Sequence, residues 1–100
     1  MLTHAQIAGV ANEVLQATLG PHGFERAEVA DDIDPEGVAA VRVLAHFRPG
    51  SQPADGRAVV AALSGLHTRL RELGEERFPF LRYAYPDDEI PGAAPEDFDP

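Results

Sequence analysis

Ser64 and His67 stand three residues apart, a spacing that makes side chains neighbours on a helix and would suit a nucleophile beside its base. A working pair also needs an acid to orient the histidine and a water-excluded oxyanion site, and the helical pattern puts both residues on the outer side of their helix. A second constellation, Asp32-x-Asp34-x-Glu36-Gly37, alternates oxygen ligands ahead of a turn glycine, as the first half of a calcium loop does. The second half fails, because the position of the bidentate glutamate holds Val43 inside an expected strand. It reads as an acidic hairpin turn. The four histidines, His4, His22, His46 and His67, have no metal-ligand spacing with one another or with acids on a shared element, and the chain has no cysteine for a disulfide or a thiolate site. Gly20-Pro21-His22-Gly23 has the GxxG form of a nucleic-acid backbone clamp, yet it joins a helix to a strand, where a helix terminus explains it. The expectation is a protein with no catalytic residues, no cofactor and no metal, and not an enzyme.

The elements that hold these residues follow from periodicity. Thr3-His4-Ala5-Gln6 has capping-box spacing, and Ile7, Val10, Ala11, Val14, Leu15 and Thr18 then fall on one side of a helix that Gly20-Pro21 should end with a left-handed residue. The opposite side, Ala5, Gly9, Asn12 and Gln16, is expected to face water. Residues 24–30 and 38–47 read as two strands of a hairpin across the acidic turn. In the second strand Ala39, Val41, Val43, Ala45 and Phe47 make an apolar face, while Val38, Ala40, Arg42, Leu44 and His46 make a mixed one. Residues 49–56 form a loop. Asp55 can cap a second helix in which Val59, Leu63, Leu66, Leu70 and Leu73 form the expected buried stripe, with Gly74 ending it.

The third strand, Phe78-Pro79-Phe80-Leu81-Arg82-Tyr83-Ala84-Tyr85, has aromatic rings on both faces. The order αββαβ predicts an α+β fold: a two-layer domain with a three-stranded sheet and two helices on one face. Whichever face those helices cover, two rings stay outside, and a contiguous apolar patch of that kind marks a contact surface. The candidate partner-binding residues are therefore Leu44, His46, Phe78, Phe80, Arg82, Tyr83 and Tyr85. The expected partner is another protein or a second copy in a homodimer.

The net charge of −9 is unevenly distributed. Residues 87–100 hold six acids and no base, whereas residues 1–85 hold eleven acids against eight arginines, a net of −3, and the whole chain lacks lysine. This predicts one domain over residues 1–86 and an acidic, proline-rich flexible tail over 87–100, which could fold back to place Ile90 or Phe98 on the patch. Such a charge disfavours nonspecific phosphate binding. No apolar run approaches the roughly 20 residues of a membrane helix. With no basic start and apolar stretch at the N-terminus, a cytoplasmic protein is expected.

Leu70-Arg71-Glu72-Leu73-Gly74, then Arg77-x-Pro79-x-Leu81-Arg82-Tyr83-x-Tyr85 and Asp87-Asp88, resembles the end of ribosome-binding factor A, a KH-like family of small-subunit maturation. The order helix, hairpin, helix, strand is compatible with that family. The resemblance implies contact with ribosomal RNA, with the region of Gly65 standing where the family kinks between two helices.

Overall fold

The computed structural model describes residues 1–86. The elements are α1 (His4–Leu19), a 3₁₀ turn (Gly20–His22), β1 (Phe24–Ile33), β2 (Ala39–Phe47), α2 (Gly56–Glu72) and β3 (Phe78–Ala84). The sheet has the order β1-β2-β3, with β1 antiparallel and β3 parallel to β2. The fold is α+β, as expected. The tail lies outside the described residues.

Thr3 and Gln6 form the capping box: the Gln6 N–H donates to Thr3 Oγ1 (3.1 Å) and the Thr3 N–H to Gln6 Oε1 (2.9 Å). The helix end differs from expectation. Gly20 is right-handed (φ −52°), the chain tightens into the 3₁₀ turn, and the left-handed residue is Gly23 (φ 99°). A Cβ at Gly23 would collide with the Ser51 hydroxyl, so the second glycine of the GxxG run is needed for the packing of the loop after β2. Asn12 also departs from its expected place in water. Its Oδ1 accepts from the Ala27 N–H (3.0 Å) and its Nδ2 donates to the Ala8 carbonyl (2.8 Å), which pins α1 to β1 near the irregularity at Phe24/Arg26.

The core forms between the helices and one face of the sheet. Ile7, Val10, Ala11, Leu15 and Leu19 of α1 and Ala62, Leu66 and Leu70 of α2 pack on Val41, Val43, Ala45 and Phe47 of β2, with Phe24 and Ala27 of β1. The buried stripe of α2 is therefore turned from the expected one. Leu66 and Leu70 are buried, but Leu63 (37% exposed) and Leu73 (43%) are not, because α2 leans on α1 instead of lying flat over β3. Gly65 allows this approach, since a Cβ there would stand 3.2 Å from Val14 Cγ1. α2 runs unbroken through Gly65, so the kink implied by the resemblance is absent.

A Schellman turn ends α2. The Gly74 N–H donates to the Arg71 carbonyl (3.0 Å) and the Glu75 N–H to the Leu70 carbonyl (2.9 Å), with Gly74 at φ 93°. This turn drives Glu75 inward to 1% exposure. The buried carboxylate is fully engaged: Oε2 accepts from Arg77 Nε and the Arg77 N–H (both 2.9 Å), and Oε1 from the Leu2 N–H (2.9 Å) and Arg77 Nη2 (3.0 Å). Arg77 Nη2 also donates to the Leu2 carbonyl (3.0 Å), and Nη1 lies 3.4 Å from Asp31 Oδ1, which His4 Nε2 approaches to 2.7 Å. One ionic knot thus joins the chain start, β1 and the entry to β3. The bond to His4 holds Asp31 below the ordinary carboxylate range.

The Arg77 side chain, with the backbone donors, lowers the Glu75 pKa from 4.5 to about 2 against the opposing effect of burial. A carboxyl more acidic in the folded state stabilises above its unfolded pKa, and that contribution is lost as pH falls between the two values. Folding stability should drop by about 3 kcal/mol from this group between about pH 5 and pH 2. Glu75→Gln should lower stability at neutral pH by about 3 kcal/mol, because Arg77 loses its buried partner, and should flatten that acid limb. Urea melts at several pH values read both effects; an unchanged acid limb would refute the assignment.

Candidate interaction surface

The register of the sheet sorts side chains into two faces. On the face away from the helices it builds four rows: Asp32–Ala40–Phe78, Ala30–Arg42–Phe80, Glu28–Leu44–Arg82 and Arg26–His46–Ala84. Of the seven expected partner-binding residues, Leu44, His46, Phe78, Phe80 and Arg82 lie together on this open face. Tyr83 and Tyr85 do not. They share the helix side with Val43 and Phe47, because residues of odd number in β3 follow Pro79, whose partner is the buried Val41. Tyr85 stacks on Phe47 at 4.4 Å, Tyr83 meets it edge-on at 5.9 Å, and Phe24 closes the cluster at 6.1 Å. Burial, with a smaller effect of Tyr85, raises the Tyr83 pKa above its ordinary value.

Charge and apolar surface are separated across the open face. Towards β1 the charges are paired: Arg26 Nη1 donates to Glu28 Oε2 at 2.6 Å, and Arg42 Nη1 stands 3.8 Å from Asp32 Oδ2. The Arg26 bond, followed by His46, lowers the Glu28 pKa. His46 Nε2 is buried 3.4 Å from Glu28 Oε1 without the alignment of a hydrogen bond. Towards β3 the surface is aromatic. Phe78, 43% exposed, meets Phe80 edge-on at 5.0 Å, and the Arg82 guanidinium lies 5.9 Å from the Phe80 ring centre. Arg82 has no carboxylate partner among the described residues.

Phe78 also reaches round the outer edge of β3. Its ring packs on His67 of α2 at 5.5 Å, so this histidine is engaged by an aromatic ring. On the helix side of the same edge, a groove of ≈ 210 Å³ runs between α2 and β3, lined by Val59 and Leu63 and by residues 78–83. The helix periodicity predicts Val59 and Leu63 in the core; their share in this groove depends on the tilt of α2, which a one-dimensional pattern does not contain. Two larger concavities lie elsewhere, one of ≈ 480 Å³ at the 3₁₀ turn and the loop after β2, the other of ≈ 440 Å³ beside Glu75 and Val38.

The remaining chemical constellations are absorbed by local structure. Asp34 Oδ1 accepts from the Glu36 N–H (2.9 Å) and the Val38 N–H (2.8 Å), so its carboxylate shapes the hairpin turn, with Gly37 at φ 86°. Among the described residues no three His, Asp or Glu side chains converge, and no helix is long and apolar enough to cross a membrane. Compared with protein-family models, curated proteins and solved structures, the chain matches none.

The two faces should respond differently to truncation. Phe47→Ala, removing a ring 1% exposed, should destabilise the domain by about 3–5 kcal/mol, whereas Phe78→Ala should cost about 1 kcal/mol or less. Equal losses in denaturant melts would contradict the division.

Proposed function

We propose that this domain is a small non-catalytic interaction module that binds a protein partner, or a second copy of itself, through the aromatic part of its open sheet face. One observation carries the reading: among the described residues Phe78, 43% exposed, and the half-buried Phe80 stand on the sheet face away from the helices, beside Arg82, which has no carboxylate partner among those residues. An exposed and a half-buried aromatic ring next to an arginine have the composition of an interface hot spot, since they release apolar area from water at small cost in side-chain entropy. The flanking pairs Arg26–Glu28 and Arg42–Asp32 supply a polar rim.

Capture with the tagged full chain tests this reading. Phe80→Glu should abolish retention of a specific partner or of a second copy, while Glu36→Gln in the hairpin turn should leave it unchanged. A chain that stays strictly monomeric at high concentration and retains no partner would overturn the proposal.

A second reading, association with RNA or the ribosome, is favoured by the same Phe78, Phe80 and Arg82, because aromatic rings beside a guanidinium can stack on unpaired bases. Against it, two of the three arginines on this face are already neutralised by Glu28 and Asp32. Co-sedimentation with small ribosomal subunits at low salt, weakening steeply as salt rises, is its expected signature. No association at low salt would remove it.

A further inference from the structure

Among the described residues the three-stranded open sheet has two edges, and they are protected unequally. β1 carries Glu25, Arg26, Glu28, Asp31 and Asp32 along its length, is irregular at Phe24/Arg26, and gives its Ala27 N–H to Asn12. Charged side chains and irregular pairing are the means by which an edge strand resists addition of another strand. β3 has one charge, Arg82, in seven residues, and Pro79 as its sole interruption. It is flanked by apolar surface on both sides, with Val59 and Leu63 along the groove and Phe78 and Phe80 on the open face. An edge strand left so apolar is a template for another strand.

We infer that the occupant is a second copy of the chain, with the two β3 strands paired antiparallel across a two-fold axis at Leu81 to make a continuous six-stranded sheet. This inference rests on the reading of β3 as the contact element and names its partner. Leu81 is the midpoint of Phe78–Ala84, so a two-fold there uses the whole strand. In that register Phe78 lies opposite Ala84, Pro79 opposite Tyr83 and Phe80 opposite Arg82, each ring meeting a small side chain, a proline ring or a cation. The Arg82–Phe80 contact within one chain is thereby repeated between chains. A two-fold at Arg82 would instead set two guanidinium groups against each other. Pro79 stands two residues from the axis, and a missing N–H there removes at most one inter-chain bond at each end.

The chain has no cysteine, so one introduced thiol reports the axis cleanly. Opposed residues of an antiparallel pair have Cα atoms about 4.5–5.5 Å apart, within the range a disulfide spans. Leu81→Cys should give a covalent dimer as the main product of mild oxidation, while Glu25→Cys on the opposite edge should remain monomeric. The wild-type chain should be a dimer by light scattering, held or tightened by added salt because two chains of net charge −9 repel. Leu63→Glu, at an exposed position, should weaken it at least about tenfold. A monomeric wild type, or crosslinking at 81 no greater than at 25, would overturn the inference. If the dimer fails while Phe80→Glu still abolishes capture of a partner, only the two-fold edge is lost; loss of both would take the interaction reading with it.

Discussion

The ionic knot at Glu75 and Arg77 fixes where β3 starts, and the start of β3 fixes which of its side chains meet solvent. The Schellman turn aims the Glu75 carboxylate inward, where Arg77 and the Leu2 N–H satisfy both of its oxygens. Arg77 is thereby anchored one residue before the strand begins. A slip of one residue in the pairing with β2 would exchange the two faces, exposing Tyr83 and burying Phe80. A buried ion pair contributes little net stability compared with a well-packed apolar replacement, but it is costly to leave half made. Here it ties the entry to β3 to the chain start, through the Leu2 N–H and carbonyl.

The tilt of α2 also shapes the molecular surface. Gly65 lets this helix settle against Val14 of α1, and Ala62, Leu66 and Leu70 go into the core as a result. Two of its other apolar side chains, Val59 and Leu63, are left over the outer edge of β3. The helices therefore cover the β1–β2 side of the sheet well and the β3 side incompletely. Exposed apolar surface continues round the strand edge, with Phe78 touching His67 on one side and Phe80 on the other.

Sequence patterns were legible wherever the determining contacts are local. The capping box at Thr3, the Asp55 cap, whose Oδ1 accepts from the Ala58 N–H at 2.9 Å, and the glycine stop after α2 all appear as the residue types require. The apolar row of Val41, Val43, Ala45 and Phe47 likewise follows from simple alternation. At Gly20, proline in the next position is compatible with a 3₁₀ turn as well as with a stop, and the left-handed residue is Gly23, where Ser51 leaves no room for a Cβ. Asn12 misled because a polar residue on an outer helix position reads as solvated until a strand N–H is found opposite it. Glu75 gave no signal at all, since a buried carboxylate is recognisable only with its donors in place.

By itself the sequence determined the two α-helices and three strands of the described residues, the α+β class, and the placing of aromatic rings on both faces of the last strand. Those properties depend on periodicity and on short-range hydrogen bonds, which are written in consecutive residues. Tertiary structure alone decided the strand order, the parallel pairing of β2 and β3, and therefore that Phe78, Phe80 and Arg82 face outward while Tyr83 and Tyr85 pack on Phe47. The physical reason is that both faces of β3 are apolar enough to be buried. Alternation could not rank them, and the choice fell to contacts with residues far away in the chain.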